Sequence, residues 1–159
     1  QYTLDVDTVG EGAVDIDPAQ DTYVYGDVIT LTASADPGWT FLAWSGDVSG
    51  GTAQITHTIT ADTVVTATFD QEAYDLTVNI EGSGTVLREP DQAAYVYGQV
   101  VTLAAVADTG WAFAAWGGDV SGTDEVITHT ITADIVVTAT FTKSDFKVYL
   151  PLTIRGAGQ

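Results

Sequence analysis

Gly38-Trp39-Thr40-Phe41-Leu42-Ala43-Trp44-Ser45-Gly46-Asp47-Val48-Ser49-Gly50 returns, about 72 residues further on, as Gly110-Trp111-Ala112-Phe113-Ala114-Ala115-Trp116-Gly117-Gly118-Asp119-Val120-Ser121-Gly122. Working outward, the match runs without a gap from 2–69 to 74–141, with about three in five positions identical. The chain is therefore an internal duplication of a unit of about 70 residues, a size at which a single core just suffices for folding. The expected layout is a first copy at 1–70, a short stiff linker at 71–73, a second copy at 74–142 and a tail at 143–159.

The residues alternate with a period of two. Tyr2, Leu4 and Val6 fall on one face and Thr3, Asp5 and Asp7 on the other; Tyr74, Leu76, Val78 and Ile80 repeat the pattern. Gly10-Glu11-Gly12 and Gly82-Ser83-Gly84 predict tight turns, after which Val14 and Ile16 resume the alternation until Pro18 and Pro90 close those strands. A strand at 28–35 turns Ile29, Leu31 and Ala33 inward. Asp36-Pro37-Gly38 is turn chemistry, because Pro fixes φ and Gly accepts a positive one. Further strands follow at 39–44, 54–59 and 64–69, the last with Val65, Ala67 and Phe69 inward, and 46–51 is a loop. No window has helical periodicity. The expected fold class is all-β: two tandem small antiparallel domains of about six strands each, β-grasp-like or sandwich-like, plus a C-terminal strand.

Twenty-two acids face four bases. Such a surface repels nucleic acid and anionic membranes, so neither is expected as a partner. No apolar run reaches the length of a membrane span, so membrane insertion is not expected either. Only Arg88 among the bases lies in the copies; Lys143, Lys147 and Arg155 all lie in the tail, which is suited to dock on an acidic body. Cysteine is absent, so no disulfide or thiol chemistry is available. A chain that opens on Gln1 points to a lost leader and an extracellular or cell-surface location, an expressed fragment being the other reading.

The ordered set Gly10-x-Gly12, Pro18, Tyr23-x-x-Gly26, Val28 with Leu31 and Ala33, Gly38-Trp39-x-Phe41-x-x-Trp44-Ser45-Gly46 and Val65-Thr66-Ala67-Thr68-Phe69 resembles the divergent InlB B-repeats of bacterial surface proteins. The resemblance covers both copies but not the tail. It implies compact β-rich units strung along extracellular proteins of bacteria and archaea. It also implies a spacer, adhesion or assembly role with no catalytic residues and no cofactor.

Each candidate site has a structural counter-reading. Trp39, Trp44, Trp111 and Trp116 with Tyr23, Tyr25, Tyr95 and Tyr97 are either sugar-stacking platforms for surface glycans or the aromatic core of a small domain. The core reading is preferred for the tryptophans: Trp39, Phe41, Trp111 and Phe113 are expected to be largely buried, the tyrosines more open. His57 and His129 give one imidazole per copy, which is no metal cluster, and read as half-buried structural residues. Asp5, Asp7, Asp15, Asp17, Asp36 and Asp47 are the acids to consider for calcium, but no ligand loop of the right spacing holds them. Ser45 and Ser49 beside Asp47 lack a nearby histidine, so no catalytic site is assigned. Asn79 with Lys143 or Lys147 is the one pair that would allow a Lys–Asn cross-link. Thr56, Thr58, Thr60, Thr128, Thr130 and Thr132 are expected to face solvent, where O-glycans could attach.

The tail alternates without error. Phe146, Val148, Leu150, Leu152 and Ile154 share one face, opposite Lys147, Tyr149, Pro151, Thr153 and Arg155. As a strand it reaches roughly 33 Å. Burying its apolar face is worth on the order of 7–15 kcal/mol before entropy costs. It either adds to its own second copy or fills a groove in the next subunit, and the second burial gives head-to-tail self-association. The expected function is a secreted structural protein, the subunit of an extracellular filament or surface fibre, with Phe146, Val148, Leu150, Leu152, Ile154, Lys147 and Arg155 as the subunit interface. A carbohydrate-binding, adhesive or spacer module is the alternative, and a small secreted hydrolase the remote one.

Overall fold

The computed structural model describes residues 1–144. The first copy contains β1 (Leu4–Val9), β2 (Gly12–Asp17), β3 (Val28–Ala35), β4 (Trp39–Gly46), β5 (Gln54–Thr58) and β6 (Thr63–Gln71). These form two three-stranded sheets, β1-β6-β4 and β2-β3-β5. Their inner faces, with Tyr23, Val48 and Ile59 from the connections, supply one core that also holds Ile29, Leu31, Ala33, Trp44, Val65, Ala67 and Phe69. The arrangement is a small sandwich. The predicted inward sets on β3 and β6 are those found, because strict alternation on a strand buried on one face leaves only one register.

The second copy repeats the elements with β8 (Leu76–Glu81), β9 (Gly84–Glu89), β11 (Val100–Ala107), β12 (Trp111–Gly118), β13 (Val126–Thr130) and β14 (Ile135–Lys143). Its sheets are β12-β14-β8 and β13-β11-β9. Two short strands, β7 (Ala73–Tyr74) and β10 (Tyr95–Val96), pair in place of the single Tyr2–Tyr23 bridge of the first copy. By packing, the described chain divides into two compact units. One holds Gln1–Asp75 with Gln92–Val100 and Thr130–Asp134; the other holds Leu76–Asp91, Val101–His129 and the stretch from Ile135.

One pairing departs from the antiparallel expectation. β1 runs parallel to β6, from Leu4 opposite Thr63 to Val9 opposite Thr68, and β8 runs parallel to β14. The Gly10-Glu11-Gly12 turn does not close a hairpin; it carries the chain from one sheet to the other. Gly10 has φ +86°, and a Cβ on Gly12 would run into the Phe69 ring, so the corner needs both glycines. With β2 delivered to the opposite sheet, β1 is free to pair with the last strand, and the whole copy serves as the long crossover that parallel strands require.

β4 also breaks the simple alternation. Phe41 pairs with Phe69 but Ala43 pairs with Thr68, so Leu42 is a bulge residue, and it is exposed. The bulge puts Phe41 and Trp44 on the same side, with ring centroids 5.2 Å apart. Trp44 and Trp116 are therefore the deeply buried tryptophans, at 2% and 4% exposure. Trp39, Phe41, Trp111 and Phe113, expected to be largely buried, are half-buried; Trp39 and Phe41 pack against the core of the first copy.

Candidate functional site

The Gly-Asp-Val-Ser-Gly loop, where Ser45, Asp47 and Ser49 suggested chemistry, is a clamp. Gly46 takes φ +97° and lets the chain leave β4 sharply. Asp47 N–H then donates to the Val64 carbonyl at 2.9 Å, and Val64 N–H donates to the Asp47 carboxylate at 2.8 Å. The loop folds back so that Trp44 N–H reaches the Gly50 carbonyl at 2.7 Å, the Trp44 indole N–H reaches the Thr52 carbonyl at 2.9 Å, and Val48 plugs the core. The second copy repeats each part: Asp119 with Val136, Trp116 with Gly122, and the Trp116 indole with the Asp124 carbonyl. The carboxylate's task is to hold a backbone amide and thereby seat a tryptophan.

Other acids do similar work. Asp62 accepts from Thr3 N–H at 2.9 Å, Asp134 from Asp75 N–H at 2.9 Å, and Asp27 from Val24 N–H at 2.9 Å. Asp5, Asp7, Asp15 and Asp17 are exposed on β1 and β2, the outer strands of their sheets. Among the described residues no three His, Asp or Glu side chains converge as a metal site, and no cavity is present. His57 and His129 are half-buried, flanked by the exposed threonines 56, 58, 60, 128, 130 and 132 in the expected orientation. Asn79 lies opposite Thr138, while Lys143 lies opposite Trp111 at the other end of β14, roughly 17 Å along the strand. Lys143 Nζ sits 5.9 Å from the Trp111 ring centroid, as a cation over an aromatic face.

The tyrosines, expected to be more open than the tryptophans, split. Tyr23 and Tyr95 are core residues, at 2% and 0% exposure. The Tyr23 hydroxyl remains satisfied, donating to the Pro18 carbonyl at 3.0 Å and accepting from Gln20 N–H at 3.2 Å. Tyr25 and Tyr97 are the exposed pair, at 73% and 43%. Each copy thus presents one open tyrosine instead of the aligned row of rings that a glycan platform needs. The expected interface residues Phe146, Lys147, Val148, Leu150, Leu152, Ile154 and Arg155 lie outside the described residues, as does Lys147 in its role as cross-link donor.

One contact had no signature in the sequence. A Cβ built on Gly38 would overlap the Cβ of Tyr97, so the Tyr97 side chain starts directly over that glycine, and Gly38 is buried. At the corresponding Gly110 no described residue comes within 4 Å of such a Cβ.

The pattern of the divergent InlB B-repeat domain matches the chain twice, at residues 2–73 and 74–145. The chain belongs to this family, as two tandem copies of a domain associated with bacterial surface and extracellular proteins. No curated protein and no solved structure matches it.

Proposed function

We propose that the chain is a non-enzymatic structural module of a bacterial surface or extracellular protein, and that it assembles head to tail by donating residues 146–155 to a neighbouring chain. The observation that carries this reading is that the first copy completes both sheets from its own strands, β1 to β6, in the order that the second copy repeats. A domain of this type needs no added strand, which leaves the apolar face of the tail to be covered elsewhere.

Charge favours a neighbour's first copy as the acceptor. The outer strands β1 and β2 expose Asp5, Asp7, Asp15 and Asp17, whereas the corresponding positions in the second copy are Thr77, Asn79, Leu87 and Glu89. A donated strand with Lys147 and Arg155 on its polar face meets opposite charge on the first copy and far less on its own. An outer strand also offers the unpaired backbone groups that strand addition uses. Pro151, which lacks an amide hydrogen, must then point away from the acceptor.

Negative-stain images of the full-length protein test this. Thin unbranched fibres are expected, and a synthetic peptide of residues 146–155 should stop their growth by filling the acceptor edge. Dispersed single particles at high concentration, unchanged by the peptide, would contradict the assembly reading.

A further inference from the structure

The two copies carry the same knob and the same socket, but among the described residues one of each is engaged. The knob is the tyrosine of the Tyr-Val-Tyr-Gly turn: Tyr25 in the first copy, Tyr97 in the second. The socket is the glycine before the first tryptophan of β4 or β12: Gly38 or Gly110. Within one compact unit, Tyr97 sits on Gly38. That engagement accounts for two differences between equivalent residues. Gly38 is buried while Gly110 is half-buried, and Tyr97 is 43% exposed while Tyr25 is 73% exposed. The two glycines share a backbone conformation, with φ +82° at Gly38 and +84° at Gly110. They also have the same backbone rim: Glu72 N–H bonds to the Gly38 carbonyl at 2.8 Å, and Ser144 N–H to the Gly110 carbonyl at 3.0 Å.

We infer that Tyr25 of one chain docks on Gly110 of a second copy, repeating between molecules the contact that Tyr97 and Gly38 make within one. Charge separates the used pair from the free pair. The used socket is bordered by Asp70, Gln71 and Glu72, and its knob is flanked by the neutral Ala93 and Gln99. The free socket has Thr142, Lys143 and Ser144 at those positions, and the free knob is flanked by Asp21 and Asp27. Asp36 and Asp108 occupy the same place in the two turns, so the sockets differ by Lys143: an acidic knob faces a socket that carries a lysine in the free pair, while a neutral knob faces an acidic socket in the used pair. The bordering residues are adjacent in space, because Trp39 pairs with Gln71 and Trp111 with Lys143. At 0.15 M salt the repulsion between two acidic bodies is screened beyond about 8 Å, whereas the pairing at the contact persists.

The contact is heterologous, with knob and socket at different places on the chain, so it propagates instead of closing. It is independent of strand donation by the tail. A tethered contact enjoys an effective concentration in the millimolar range, so the untethered version is a weak one by itself.

Sedimentation equilibrium of the full-length chain provides the test, with Tyr25→Ser removing the knob and Gly110→Asn filling the socket. Lys143→Glu is a second socket variant that leaves the backbone untouched, and circular dichroism checks the fold of each. The weight-average mass of the unmodified chain should rise with concentration, and each variant alone should associate at least roughly tenfold more weakly. Mixing Tyr25→Ser with either socket variant should restore the association that each loses alone, because each supplies the half that the other lacks. Unmodified protein that stays monomeric, or variants that associate as well as it does, would overturn the inference. Association abolished by removing 145–159 but untouched by Tyr25→Ser would overturn it while leaving strand donation standing. The converse result would support it and sink strand donation.

Discussion

Replacing Trp44 with alanine should nearly unfold the first copy and leave the second intact. Trp44 is 2% exposed, packs its ring 5.2 Å from Phe41, and ties the loop after β4 through its indole N–H to the Thr52 carbonyl at 2.9 Å. Truncating a buried tryptophan costs about 3–5 kcal/mol, and the orphaned Thr52 carbonyl adds to that only to the extent that water cannot reach it. A unit of this length has a total stability of roughly 4–10 kcal/mol, so the loss is between about a third of it and all of it. With a urea slope near 1 kcal/mol per molar, the midpoint of the first copy should fall by about 3–5 M, or the copy should be unfolded without urea. Urea titration followed by far-ultraviolet circular dichroism should then show two transitions, one of them unmoved. Trp116→Ala should move the other. Trp39→Ala, at a half-buried position, should cost roughly half as much. A Trp44→Ala protein with the midpoint of the unmodified chain would refute the claim that this ring anchors the core.

Gly12→Ala should destabilise the first copy by about 1–3 kcal/mol, because the new methyl meets the buried Phe69 ring, whereas Gly117→Ala, with open space and an ordinary φ, should stay within about 0.5 kcal/mol; thermal melts separate the two. Asp47→Ala should cost about 1 kcal/mol by removing the acceptor for Val64 N–H, and hydrogen exchange at that amide should speed up. Tyr74 donates its hydroxyl to Glu72 at 2.7 Å, and this bond to a carboxylate is the main cause of a pKa lifted above 10.0. Glu72→Gln should bring the Tyr74 titration back toward 10.0 in ring-resonance NMR. Because the folded-state value is the raised one, whatever stability the pair contributes is present below pH 10 and fades only as the pH climbs past it.

Much of the architecture was legible because β3 and β6 each bury one face. Ile29, Leu31 and Ala33, then Val65, Ala67 and Phe69, follow a period of two with no interruption. The alternation carries no information about partner direction, so the parallel pairing of β1 with β6 was not readable from it. On β4 the bulge at Leu42 resets the period, and a count in twos from Trp39 selects Phe41 but misses Trp44. Tyr23 can be buried because the Pro18 carbonyl and the Gln20 amide satisfy its hydroxyl, and neither partner is marked in the sequence. Gly38 and Gly110 are the same residue in the same motif. They differ only in whether a tyrosine lies above, which is a fact of packing and not of sequence. In contrast, the charge differences around them, Lys143 for Gln71 and Gln99 for Asp27, were on the page from the start and gained meaning only with the contact.

Each copy should be complete without the tail, and the tail should serve assembly. Removing residues 145–159 and following both urea unfolding and sedimentation of the product tests this most directly. The shortened chain should keep the unfolding midpoint of the full-length protein and remain free of fibres at concentrations where the full-length protein forms them. A shortened chain whose second copy unfolds at lower urea, beside a full-length protein that stays monomeric, would place the tail in its own domain and contradict the claim.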